Sequence, residues 1–101
     1  MNAKIEEKDG KWLATLEGEM DTSAAMEVEE TLKPLHESAG KDVYIECKDL
    51  AYIASSGLRI LLGILKAAKA TGSKVVLCHV NEDILSVFKL TGFINLFEFE
   101  N

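Results

Sequence analysis

The chain has 101 residues, 48% of them hydrophobic, which is enough for one modest core and too short for two domains. We therefore predict a single domain over residues 1–101. Acidic side chains number 17 against 11 basic ones, the formal net charge is −6, and no basic run occurs. These charges exclude the electrostatic footprint of a nucleic-acid or anionic-membrane binder, so a basic or neutral protein partner is expected.

Apolar segments also bear on where the chain acts. Its N-terminus lacks the long apolar core of a signal peptide, and no apolar stretch approaches membrane-spanning length. We expect a cytoplasmic protein without direct membrane insertion.

The first predicted element is a β-hairpin. Residues 4–7 and 11–17 flank Asp9-Gly10, a dipeptide typical of tight turns, and the second segment keeps a period of two. Polar residues that suit helix caps follow at 21–23.

A first amphipathic helix comes next. Apolar residues recur at three- and four-residue steps, at Ala25, Val28, Leu32, Leu35 and Ala39. Pro34 removes one intrahelical donor and clashes with the preceding turn, which predicts a bent helix or a short C-terminal half before Gly40.

The middle of the chain has the pattern of a βαβ unit. Residues 43–47 form a strand, a second helix begins near Ser55 or Ser56, and residues 74–79 form a strand buried on both faces, as if covered by helices. The helix packs through Leu58, Leu61, Leu62, Leu65 and Ala68, and Thr71-Gly72 ends it. A right-handed crossover makes the strands parallel and places the Ser55 turn at the carboxyl end of the first, where sites commonly lie.

The last predicted elements are a third helix and a short edge segment. Asn81 caps the helix, Thr91-Gly92 ends it, and the inward side chains are Ile84, Leu85 and Phe88. Residues 93–99 then finish in a short edge segment. The element order is β-β-α-β-α-β-α with a possible last strand. We predict an α/β fold with a small mixed sheet of four to five strands packed with three main helices.

The junction at residues 49–59 carries the chemistry of interest, because two serines stand where an apolar strand-like segment turns into a helix. A serine there can cap the helix, or it can carry a phosphate that the free N–H groups and the helix dipole stabilise. Arg59 lies four residues after Ser55 and three after Ser56, so it is either a phosphate clamp, a partner contact or a solvated cation.

Two other positions have competing interpretations. Asp21 either caps the first helix, contacts a partner or orients the Ser55 loop. Met20 and Met26 are interpreted as core filler rather than a binding surface.

Groups for other chemistries are sparse. His36, expected on a solvated helix face, and His79 have no carboxylates at metal-binding spacing, and Cys47 and Cys78 are expected to be buried reduced thiols. The serines do not form a G-x-S-x-G elbow, and Gly57 and Gly63 do not have the spacing of a phosphate-binding loop. We expect neither an enzyme nor a bound cofactor or metal.

Four segments in order along the chain resemble the STAS domain family, and within it the free-standing bacterial anti-sigma-factor antagonists. Residues 18–21 look like the family's G-x-hydrophobic-D segment, and residues 49–58 look like its signature. Residues 75–77 and 90–93 match later landmarks. Together, in this order and at these separations, they cover nearly the whole chain and make the resemblance specific.

This resemblance implies partner switching. The unphosphorylated protein would bind a serine-kinase anti-sigma factor and free a sigma factor, phosphorylation would break that complex, and a phosphoserine phosphatase would reset it. The family's acceptor follows the aspartate of D-S-[ST]-G, which maps to Ser55 with Ser56 as the alternative, and Ala54 replaces the aspartate.

Five residues are expected at the partner surface, namely Asp21, Ser55, Ser56, Gly57 and Arg59. The alternative is a STAS accessory subunit of a transporter or other assembly that is not phosphorylated, which the replacement at position 54 favours.

Overall fold

A computed structural model describes residues 1–37 and 40–100. The strands are β1 (Asn2–Lys8), β2 (Lys11–Met20), β3 (Val43–Glu46), β4 (Leu50–Ile53), β5 (Val75–Cys78) and β6 (Glu98–Glu100). The helices are α1 (Thr22–Leu32), α2 (Ser55–Ala70) and α3 (Glu82–Thr91), with 3-10 segments at Lys33–Glu37 and Phe93–Asn95.

The mixed sheet has the strand order β1-β2-β3-β5-β6, and the predicted α/β class and element order are confirmed. β1 and β2 form an antiparallel hairpin, whereas β3, β5 and β6 add in parallel. The hairpin turn uses Asp9 at φ 53° and Gly10 at φ 77°, the positive φ pair that makes this dipeptide a strong turn signal.

The sheet has six strands, where four to five were expected, because Leu50–Ile53 forms a strand of its own. β2 is long enough to pair in parallel with β3 through Trp12–Thr15 and then, past a register shift at Gly18/Glu19, with β4. The Ser55 turn therefore lies at the carboxyl end of β4 and not, as predicted, at the end of the strand 43–46. The predicted parallel pairing of that strand with β5 is confirmed.

Pro34 changes the first helix in the predicted region. The α-helix ends at Leu32 and continues as the 3-10 segment, in which Leu35 is buried. The proline ring opposes the carbonyl four residues earlier, so the chain tightens its turn instead of keeping α geometry. The predicted stripe is buried at Ala25, Val28 and Leu32, while Ala39 lies outside the described residues.

Packing of α2 and α3 onto the sheet closes the core. In α2 the predicted stripe is buried except for Leu62, which is half-buried, and Ile60 and Ile64 are additional buried residues. Leu85 in α3 is likewise only half-buried. Asn81 caps α3 as predicted, since its Oδ1 accepts from the Ile84 N–H at 2.9 Å.

Asn81 also ties α3 to the sheet, because its Nδ2 donates to the Leu50 carbonyl at 2.9 Å. The Phe88 ring of α3 makes edge-to-face contacts with Phe97 and Phe99, at 5.5 Å between ring centroids in each case. These contacts hold the short strand β6 to the body, so the predicted edge segment is confirmed.

Candidate functional site

Two helix starts meet at one edge of the sheet. The last paired residues of β2 and β4 are Met20 and Ile53, and the Ala54 N–H donates to the Met20 carbonyl at 2.9 Å. Because the two strands are parallel neighbours, the chain leaves both at the same place, into α1 through Asp21 and into α2 through Ala54. The positive ends of two helix dipoles therefore lie side by side.

Asp21 is the N-cap of α1. Its Oδ1 accepts from the Ser23 hydroxyl at 2.8 Å and from the Ala24 N–H at 2.9 Å. The hydrogen bond from Ser23, followed by that from Ala24, holds the pKa of Asp21 below its ordinary value. The capping role, one of the three predicted, is confirmed, and the carboxylate is bonded within its own turn.

Helix α2 begins without a side-chain cap. Its N-cap residue is Ala54, at φ −84° and ψ 169°, and the first intrahelical bond runs from the Leu58 N–H to the Ala54 carbonyl at 3.0 Å. The backbone N–H groups of Ser55, Ser56 and Gly57 precede that bond, so they face out of the helix start. Of the two alternatives for the serines, a helix cap or a phosphate carrier, the structure excludes the cap, because both serines already lie inside the helix and Ala54 is its N-cap.

The two serines differ in access. Ser55 is exposed at the first helical position. Ser56 is half-buried, and its Oγ has almost no exposed surface and no hydrogen-bond partner among the residues that the structure describes. Of the two hydroxyls, that of Ser55 is therefore the one that another protein can reach without a change in the helix.

Gly57 has a packing role. A Cβ at this position would lie 2.9 Å from Ile53 Cγ1 and 3.0 Å from Met20 Sδ, closer than Cβ contacts allow. The missing side chain lets the first turn of α2 rest on the ends of β2 and β4, which positions both serines. Gly57 itself is buried and presents no side chain to a partner.

Arg59 lies on the exposed face of α2, one turn after the serines. Residues three and four apart on a helix are neighbours, so its guanidinium is within reach of a group added to Ser55 or Ser56. Among the described residues it forms no ion pair, which leaves its five N–H donors available.

A groove of about 520 Å³ runs between α1 and α2, beside the serines. Its lining residues are Thr22, Ala25, Met26, Glu29, Ser56, Arg59 and Ile60. Met26 is 80% exposed, so its interpretation as core filler is wrong, whereas Met20 is fully buried as expected. Met26 follows Ala25 directly, so its side chain lies about 100° around the helix from the buried stripe. This departure from the three- and four-residue spacing was the sequence signal that Met26 is exposed.

The remaining reactive groups lie elsewhere. Cys47 is buried as predicted and burial raises its pKa to about 12, whereas Cys78 is only half-buried, and both are free thiols. His36 is exposed as predicted, and His79 pairs through Nδ1 with Glu46 at 2.8 Å. Within residues 1–37 and 40–100 no cluster of three potential metal ligands occurs, and no helix is long and apolar enough to cross a membrane.

Comparison with known proteins decides the family. Residues 2–101 match the family model of the STAS domain. The chain belongs to the STAS domain family. This STAS domain is 30% identical over 98 residues to the anti-sigma-B factor antagonist of Staphylococcus aureus (strain NCTC 8325 / PS 47), across 95% of this chain and 91% of that protein.

Solved structures agree on the fold of this STAS domain. It is similar to the anti-sigma factor antagonist SpoIIAA in its unphosphorylated form, with a TM-score of 0.81 and 18% identity over 99% of this chain and 89% of the other. Similarity to the phosphorylated form of the Bacillus cell fate determinant SpoIIAA has a TM-score of 0.75 and 18% identity, over 99% and 92% of the chains. The predicted resemblance is confirmed.

Proposed function

We propose that this STAS domain is an anti-sigma factor antagonist. In its unphosphorylated form it binds a serine-kinase anti-sigma factor in the cytoplasm and thereby releases a sigma factor. Phosphorylation of Ser55 ends that binding, and a phosphoserine phosphatase restores it. The relatives support the regulatory class, since they are named as anti-sigma factor antagonists, which act by binding rather than by catalysis.

The observation that carries the proposal is the exposed Ser55 hydroxyl at the uncapped start of α2. A phosphate there is accommodated by the isolated domain, because the free N–H groups and the helix dipole favour an anion and Arg59 lies one turn away. The domain therefore needs no refolding to carry the modification.

A complex responds differently to the same charge. The phosphate adds about −1.5 to −2 charges next to the groove between α1 and α2, where a docked partner excludes water. Introducing this charge into a desolvated interface costs about 3–5 kcal/mol, which is about 10²–10⁴ in affinity. That loss is enough to release the partner.

We assign partner contacts to Ser55 and to three residues of the adjacent groove, Ser56, Arg59 and the apolar Met26. Asp21 and Gly57 act from behind this surface, the first by fixing the start of α1 and the second by seating α2 on the sheet. The surface therefore combines one reachable hydroxyl, one cation and one flexible apolar side chain.

Incubation with the serine-kinase anti-sigma factor and ATP, followed by mass spectrometry, should locate phosphate on Ser55. Ser55→Ala should keep the affinity for the kinase, and Ser55→Asp should lower it. A matched control is Ser86→Asp, which adds the same charge on an exposed position of α3 and should leave binding unchanged. Equal affinities of Ser55→Asp and Ser55→Ala would refute the switch.

The second candidate is an accessory subunit of a transporter or another assembly, which is not phosphorylated. Ala54 favours it, since the family's D-S-[ST]-G motif has aspartate at this position. Two results together would select this function. Neither Ser55 nor Ser56 would carry phosphate after the kinase reaction, and the affinity of Ser55→Asp for the kinase would equal that of the unmodified protein.

A further inference from the structure

Among residues 1–37 and 40–100, no helix covers one face of the sheet, which we call the open sheet face. Side chains alternate along each strand, and Ala14, Ile45 and Leu77 point to the helices and belong to the core. Their neighbours in sequence form a row on the other face, across which the register pairs Glu6, Leu13, Tyr44, Val76 and Glu98 in turn. A trough of about 350 Å³ on this face is lined by strand residues alone.

An apolar centre occupies the middle of the row. Leu13 and Tyr44 are half-exposed, and Val76 is buried although it lies outside the helix-side core. The prediction that β5 is buried on both faces is confirmed, but only Val75 and Leu77 belong to the core under the helices. Lys11 Nζ lies 4.7 Å from the centroid of the Tyr44 ring, so this ring already accepts a cation on its face.

Carboxylates lie at both ends and along one side of the apolar centre. Glu6 and Glu98 stand at the two ends of the central row. The next row pairs Thr15, Glu46, Cys78 and Glu100 in turn, and Lys4 is its only basic member. Glu6 and Glu100 are exposed and form no ion pair among the described residues. The apolar strip thus has an acidic rim at its two ends and on the side of Glu46 and Glu100, whereas Lys8 and Lys11 lie on the opposite side. The lining of the trough includes three carboxylates, Glu6, Glu46 and Glu100, against the lysine Lys11.

We propose that the open sheet face binds a segment of a partner protein that presents arginine or lysine side chains around an apolar anchor. The cations would meet the carboxylates of the rim, and the anchor would fill the trough over Leu13 and Tyr44. A second copy placed trough against trough would bring Glu6, Glu46 and Glu100 against the same three carboxylates, so a cationic partner segment fits better. None of these residues belongs to the Ser55 site, so the inference goes beyond the proposed function.

The test uses a defined probe, an acetylated and amidated octapeptide of alternating arginine and leucine, titrated into the isotope-labelled full chain. Amide chemical shifts should change at Leu13, Tyr44 and Cys78. The double variant Glu6→Gln/Glu100→Gln should weaken binding about tenfold, equivalent to about 1.4 kcal/mol. Replacing the leucines of the peptide by serine should also weaken binding, since the trough would then lose its anchor.

The matched control is Glu27→Gln/Glu30→Gln, which removes the same charge from exposed positions of α1 and should leave the affinity unchanged. Any of three results would overturn the proposal. The two double variants would lose the same affinity for the peptide, the chemical-shift changes would be confined to the helices, or the serine peptide would bind as tightly as the leucine peptide. Ser55→Asp should not alter peptide binding, so this result is independent of the phosphorylation switch. Thermal unfolding of every variant verifies its fold.

Discussion

Replacing Ala54 by aspartate should stabilise the protein. Ala54 has the extended backbone that N-cap residues adopt, at φ −84° and ψ 169°, but offers no side-chain acceptor to α2. An aspartate would accept from the N–H of Ser56 or Gly57 and place a negative charge at the positive end of the helix dipole. We expect a gain of about 1 kcal/mol in the free energy of unfolding. In a domain of this size, that gain raises Tm by about 4–8 °C.

The assay is urea denaturation of the variant beside the unmodified protein, with Asp21→Ala as the reverse change at α1. Asp21 Oδ1 accepts from the Ala24 N–H at 2.9 Å, so removing it should lower the free energy of unfolding. If Asp21→Ala lowers the free energy of unfolding but Ala54→Asp does not raise it, the reasoning is refuted, because the N–H groups at the start of α2 would then already have acceptors. The substitution also completes the family's D-S-[ST]-G motif, and the backbone of residue 54 places an aspartate there to cap α2.

Three further predictions concern the site. Gly57→Ala should destabilise the fold by about 1–3 kcal/mol in urea denaturation, because its Cβ would lie 3.0 Å from the buried Met20 sulfur. Gly63→Ala, in the same helix, should not, since its Cβ would meet only an exposed, movable side chain; equal losses would contradict the packing role. The lowered pKa of Asp21 stabilises the fold above pH 3.8, and this contribution is lost as the pH falls through the folded-state pKa. Acid titration of stability should therefore be flatter for Asp21→Asn, and identical profiles would argue against this pKa shift. Met26→Ala should weaken binding of the serine-kinase anti-sigma factor about tenfold in calorimetry, with little change in Tm, because this side chain is 80% exposed in the free domain; unchanged affinity would remove Met26 from the partner surface.

Short-range signals in the sequence predicted much of the fold. Asp9-Gly10 predicted the hairpin, and Asp21 and Asn81 predicted two helix starts that the structure confirms through their capping hydrogen bonds. Each of these features depends on backbone conformation or on a hydrogen bond within three residues, so neighbouring residues suffice to specify it.

The site was only partly predictable, because its members come from segments far apart in the chain. The serines could be located at a helix start, but which hydroxyl is exposed depends on how α2 rests on β2 and β4 through Gly57. Met26 was assigned to the core, and only the packing angle of α1 shows that it borders the groove.

By itself, then, the sequence determined the α/β class, the order of the elements and the position of the Ser55 turn at the start of a helix. Tertiary structure decided that this helix follows β4, that Ala54 rather than a serine is its N-cap, and that one face of the sheet stays open. The reason is physical: a cap or a turn forms through local hydrogen bonds, whereas exposure results from which distant segments pack together to bury apolar surface.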